Sequence, residues 1–97
     1  MVKIIKMPNK SYRKGYNFER RVKQYLEDKG YFVMRNPKSR FPDGLAVNKE
    51  DIFLYECKVN KYLSKEEKKK VKELKKITGL KFVVFYREGN KLKKYFI

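Results

Sequence analysis

The chain has no histidine, no tryptophan and a single cysteine, Cys57. An intramolecular disulfide is therefore impossible, and a zinc site of the usual Cys/His kind is excluded. Any bound metal would have to be a hard cation held by oxygen. No apolar run approaches the roughly 20 residues that span a bilayer, and the apolar centre of "MVKIIKM" is too short for a signal peptide. The expected location is the cytoplasm, or a host cytoplasm if the chain is viral. Acid is scarce as well: 11 Asp and Glu stand against 27 Lys and Arg, a formal net charge of +16. No internal repeat is visible.

What is present is enough to fold. Hydrophobic residues make up 41% of the 97 positions and aromatics 15%, with eight Tyr and seven Phe. That composition describes one small domain with a modest core rather than a disordered chain. A charge of this size calls for a polyanion. Nucleic acid fits best, because phosphates spaced along a duplex reward many dispersed cations through counterion release. A lysine-rich solvated surface of the heat-adapted kind, or affinity for an anionic membrane, would also produce such a balance.

The first fourteen residues hold five cations and no acid, with Pro8 and Asn9 as breakers, and read as a basic arm or short strand. From about Tyr16 to Lys29, Phe18, Val22, Tyr25 and Leu26 recur at helical spacing, and Gly30 is placed to stop the helix. "YFVMR" at 31–35 reads as a strand and "NPKSRFP" at 36–42 as a loop. "GLAV" and "IFLYECKV" follow, separated by the polar turn "NKED", as a hairpin whose opposed residues pair Val47 with Ile52, Leu45 with Leu54 and Asp43 with Glu56. Residues opposed in this way share a face, with Cβ atoms about 4.5–5.5 Å apart. Period-two alternation adds Lys58 to the same face.

An apolar face therefore ends in two carboxylates and an amine. Phe53, Tyr55, Cys57 and Val59 occupy the other face, so this strand should be central and covered on both sides. "SKEE" at 64–67 is a capping box that opens a second helix, with Val71, Leu74 and Ile77 as its apolar stripe and Gly79 at its end. Eight Lys against three Glu across 61–76 read equally as a solvated face or as phosphate contacts. "LKFVVFYRE" is a strongly apolar strand, joined to the central one by a right-handed parallel crossover. A Gly89-Asn90 turn leads into "KLKKYFI", a lysine-guarded edge strand.

Two carboxylates side by side in a partly buried site are not both comfortably ionised unless a cation sits between them. Lys58 offers part of that compensation and a divalent ion more. Mg²⁺ is usually held by one or two carboxylates, with water and substrate phosphate oxygens completing its shell. The constellation thus fits metal-assisted hydrolysis of a phosphodiester, with Lys58 orienting water or neutralising developing charge. An isolated Glu-x-Lys is more often an ordinary ion pair; the short gap, the opposed register and the apolar surroundings are what favour a site here.

"P42-D43", then 12 residues, then "E56-C57-K58", resembles the PD-(D/E)xK signature of the restriction-endonuclease-like nucleases. More narrowly, "KGYNFERRVKQYLEDKGYFVMR", a Ser at 39, an Asp at 43 and "ECK" at 56–58 are similar to the archaeal-type Holliday junction resolvases. The resemblance covers roughly residues 14–97. It implies an α/β restriction-endonuclease-like fold: a mixed central sheet flanked by helices, ordered about αβββαββ. It implies Glu19, Ser39, Asp43, Glu56 and Lys58 as catalytic residues, with Asp43, Glu56 and Glu19 on the metal. Lys14, Arg20, Arg35, Lys38 and Arg40 would contact DNA.

The cofactor implied is Mg²⁺, with Mn²⁺ able to substitute. The partners implied are branched double-stranded DNA, in the form of a four-way junction, and a second copy in a homodimer, with no membrane. Two features depart from the pattern: the loop lacks a glycine just before Ser39, and the chain ends at its last strand, as a short viral or phage-borne version would. A general or lesion-directed DNA nuclease with the same site, and a non-catalytic basic nucleic-acid-binding protein, are the competing readings.

Overall fold

The computed structural model describes residues 10–97. Seven principal elements follow the expected order: α1 (Lys10–Asp28), β1 (Phe32–Arg35), β2 (Gly44–Val47), β3 (Ile52–Lys58), α2 (Lys65–Thr78), β4 (Lys81–Glu88) and β5 (Lys91–Phe96). A single 3₁₀ turn, Pro37–Ser39, interrupts the loop between β1 and β2. The five strands form one mixed sheet in chain order. Only the β3–β4 pair is parallel, and α2 supplies the crossover that parallel neighbours require.

The β2–β3 register is the one that the polar turn dictates: Val47 pairs with Ile52 and Leu45 with Leu54. Asn48 locks this turn chemically. Its Oδ1 accepts from the backbone N–H groups of Glu50 and Asp51 at 2.9 and 2.7 Å, and its own N–H donates to the Asp51 carbonyl. Such Asx hydrogen bonds mimic a backbone turn and fix the number of residues in it. An even turn keeps opposed side chains on a common face.

The two faces of the sheet carry separate halves of the core. On one, α1 buries Phe18, Val22 and Leu26 against Phe53, Tyr55 and Phe85, each side chain contributing roughly 1.5–3 kcal/mol by leaving water. On the other, Val71 of α2 packs with Leu63, Phe82 and Val84, and Phe41 stacks on Phe82 with centroids 5.6 Å apart. The capping box of α2 is complete: Ser64 Oγ accepts from Glu67 N–H and the Glu67 carboxylate accepts from Ser64 N–H. Gly79 ends the helix at φ 70°, in the left-handed region that glycine enters without a Cβ penalty.

Three expectations need correction. The basic arm does not extend to residue 14, because Lys10–Lys14 already belong to α1; residues 1–9 lie outside the described part. The loop at 36–42 contains the 3₁₀ turn, in which Lys38 takes φ 60°. That is the position where the family resemblance called for glycine, and the backbone conformation supplies the reason. Ile77 is not part of the core stripe of α2: it is 79% exposed, because the helix touches the sheet chiefly through Val71 and Leu74.

Candidate active site

Asp43 sits immediately before β2, and the chain is pinned there from both sides. Its carbonyl accepts from Asn36 N–H at 2.8 Å, and the Asn36 side chain donates to the Pro42 carbonyl at 3.0 Å. Gly44, next in the chain, lies so close to its neighbours that an added Cβ would come within 2.6 Å of the Met34 carbonyl oxygen and 2.7 Å of the Tyr55 hydroxyl. Only glycine fits this approach. The consequence is that Asp43 enters the sheet directly opposite Glu56, as the register requires.

Asp43 is then tied to β3 twice, once to Glu56 and once to Cys57. Asp43 N–H donates to Glu56 Oε1 at 3.0 Å, and Asp43 Oδ2 accepts from Cys57 N–H at 2.6 Å. Among the described residues, Glu56 is the one charged residue that is buried, at 7% exposure. Burial, followed by repulsion from Asp43 and only partly offset by Lys58, pushes its carboxyl from 4.5 up to about 9. Glu19 reaches the cluster from the middle of α1. Burial and then Asp43 raise it to about 7, against the opposing pull of Arg35, whose guanidinium lies 3.0 Å from Glu19 Oε2. These carboxyls are acids short of positive charge.

Lys58, two residues beyond Glu56 on the same face, has its Nζ 3.9 Å from Glu56 Oε2. A second acid holds it more closely: Glu67 Oε2 accepts from Lys58 Nζ at 2.6 Å. Burial works against ionisation of Glu67, but the hydrogen bonds from Lys58 and Ser64 prevail and hold it below the usual carboxylate value. Sequence reasoning gave Glu67 only its capping role. The signal that it lies beside Lys58 was present in the parallel crossover, which returns the N-terminus of α2 to the C-terminal end of β3.

The structure thus gathers Glu19, Asp43, Glu56 and Lys58 at one end of the sheet, where β3 ends and β2 begins. Ser39 closes the 3₁₀ turn of the preceding loop. The residues expected to contact DNA, Lys14, Arg20, Arg35, Lys38 and Arg40, are all exposed, and Arg35 is also engaged by Glu19. Arg20 and Arg35 both line a groove of about 490 Å³ along α1. Among the described residues, no three His, Cys, Asp or Glu side chains converge into a ready-made metal centre. The donor chemistry nevertheless suits Mg²⁺, which is content with one or two carboxylates and keeps the rest of its shell for water and phosphate oxygens.

A mixed sheet presenting Asp and Glu-x-Lys from adjacent strands, with a further Glu from the first helix, defines the restriction-endonuclease-like class. Comparison narrows that class. The family model described as archaeal Holliday junction resolvase (Hjc) matches residues 10–95, and the chain belongs to that family. It is 36% identical over 72 residues to the crossover junction endodeoxyribonuclease Hjc of Methanocaldococcus jannaschii, with 70% of this chain and 54% of that protein covered. The chain therefore spans about half the length of that curated relative. The solved structure of Archaeoglobus fulgidus Hjc, a Holliday junction resolvase from an archaeal hyperthermophile, superposes with a TM-score of 0.72 at 23% identity, covering 84% of this chain and 71% of that one. That likeness concerns the fold.

Proposed function

We propose that the chain is a divalent-metal-dependent endodeoxyribonuclease that resolves four-way DNA junctions by paired symmetric nicks, acting as a homodimer in the cytoplasm. The observation that carries this reading is the hydrogen-bonded Asp43–Glu56 pair, part-buried with Glu56 its buried member, short of positive charge and followed by Lys58. Asp43 and Glu56 would hold the ion, Mg²⁺ with Mn²⁺ as a substitute, and Glu19 would complete its coordination or hold a water. When bound, the ion supplies Lewis-acid polarisation of the scissile phosphoryl group and a more acidic water.

The remaining roles fall to the chain itself. Lys58 orients the attacking water and neutralises charge that grows on the phosphate. Ser39, in the loop that leads into Asp43, would complete the catalytic set. Lys14, Arg20, Arg35, Lys38 and Arg40 hold flanking phosphates, which positions the DNA without reading its sequence. Family membership supports branched DNA as the substrate, since the relatives are named for junction cleavage.

Pairing into a dimer is supported by a half of the sheet that the described residues leave uncovered. Phe32, Val47 and Ile52 are opposed in register, as are Met34, Leu45 and Leu54, so all six share the face on which α2 packs. Phe32 is 68% exposed and Met34 54%. A two-fold dimer through this face would match a junction with two equivalent cuts.

The test is to incubate the protein with labelled four-way junction and with linear duplex, in Mg²⁺ or in chelator. Paired nicks in the junction alone, abolished by chelator, are the expected result. Equal degradation of both substrates would instead favour a general nuclease with the same site, and binding without cleavage would leave only a nucleic-acid-binding protein.

A further inference from the structure

Glu67 is an acidic side chain at the site that neither the capping box nor the metal accounts for in full. As the third residue of α2, it gives one carboxylate oxygen to the helix start: Oε1 accepts from Ser64 N–H at 2.9 Å. Its other oxygen faces the opposite way and accepts from Lys58 Nζ at 2.6 Å. Both partners of this pair are mostly shielded, with side-chain exposures of 25% and 21%. Among the described residues, the only other acid within 4 Å of Lys58 Nζ is Glu56, at 3.9 Å.

We infer that Glu67 is a positioning residue that holds the Lys58 ammonium off Glu56 and toward the place where the scissile phosphate would sit. Lysine is a compact charge on a flexible four-carbon stem, so its location depends on its partner. With Glu67 as that partner, the ammonium is fixed by a carboxylate that is itself fixed by the backbone of Ser64. Without it, Glu56 becomes the nearest anion. Lys58 would then close onto the oxygen that a divalent ion needs, and one charge would block the other's work. The backbone at the helix start and the site are thus one device: the Ser64 N–H that orients Glu67 sets the reach of Lys58. This inference rests on the nuclease reading above.

Glutamine separates the two halves of the device, because it also closes a capping box at this position. Three variants are needed: Glu67→Gln, Lys58→Ala and the double variant. Ser64→Ala serves as a control that weakens the cap and leaves the Lys58–Glu67 pair in place.

Glu67→Gln is expected to keep its thermal midpoint and its affinity for junction DNA in chelator. Its single-turnover cleavage rate at saturating protein should fall by about ten- to a hundredfold, the scale of a small misplacement of a reacting group. Calorimetric titration with Mn²⁺ alone should show weaker binding in Glu67→Gln than in the wild type. In the Lys58→Ala background, Glu67→Gln should change neither quantity further. Ser64→Ala should lose stability while its folded fraction cleaves normally.

Wild-type rates and wild-type Mn²⁺ affinity in Glu67→Gln, or full additivity in the double variant, would overturn the positioning role while leaving the nuclease intact. A wild-type protein that never cut junction DNA would overturn the nuclease reading, and the positioning role with it.

Discussion

At the scale of single residues, the most consequential feature is the burial of Glu56 beside Asp43. Its carboxyl moves from 4.5 to about 9 on folding because burial, and then Asp43, disfavour the charge. A group raised in this way binds a proton more tightly in the folded state, so the stability it contributes is complete below pH 4.5 and is lost as pH climbs through about 9. Urea unfolding of the metal-free protein should therefore show a falling midpoint between pH 5 and pH 9, and Glu56→Gln should flatten that slope. An equal slope in the variant would assign the titration to another group. Mg²⁺ should restore the midpoint more at pH 9 than at pH 5, because it binds the ionised carboxylate and the folded form alone. Lys38 offers a second test. It occupies φ 60°, which for an L-residue costs about 1–2 kcal/mol, so Lys38→Gly removes a charge without adding strain. Junction affinity should weaken, with the slope of log affinity against log salt reduced by about one. An unchanged slope would mean that Lys38 touches no phosphate.

At the scale of elements, the hairpin was legible because its determinants are local. An even, polar turn with Asn48 at its start fixes which residues oppose each other, and the pairing of Asp43 with Glu56 follows by counting. The capping box of α2 was legible for the same reason: Ser64 and Glu67 lie three residues apart. The second role of Glu67 was legible only in part: the parallel crossover brings the start of α2 to the end of β3, but the contact of Glu67 with Lys58 depends on how α2 settles on the sheet. Ile77 failed differently. Its spacing fits a helical stripe, but the stripe that meets the sheet is narrower than the periodicity implies.

Two variants probe elements rather than single contacts. Ser64→Ala should cost about 1 kcal/mol, or about 4–8 °C in thermal midpoint for a domain of this size, by removing the acceptor of Glu67 N–H. Gly44→Ala should drive β2 away from Met34 and Tyr55 and carry Asp43 with it. Cleavage would then be lost even though no ligand side chain had been replaced, and circular dichroism should show the sheet retained. Normal cleavage in Gly44→Ala would mean that β2 accommodates the methyl without moving Asp43.

At the scale of the whole molecule, charge and shape point the same way. A net charge of +16 suits a polyanion many times longer than the site, and the apolar face around Phe32 and Met34, exposed among the described residues, is where the proposed second copy would sit. Composition announced the first at once. The second emerged only when the register put Phe32, Val47 and Ile52 on one face beyond the reach of α2. Phe32→Glu should therefore convert a dimer to a monomer in sedimentation analysis, and the two nicks in a junction should lose their pairing while each site still cuts. Unaltered sedimentation would place any dimer contact elsewhere. The central claim, that Asp43 and Glu56 form the cutting centre of this basic protein, is tested most directly by single-turnover cleavage of a four-way junction in Mg²⁺ by the wild type, Asp43→Asn and Glu56→Gln, each at saturating protein. Paired nicks by the wild type and loss of cleavage in both variants, with junction binding retained, is the predicted result; cleavage by either variant at the wild-type rate would contradict it.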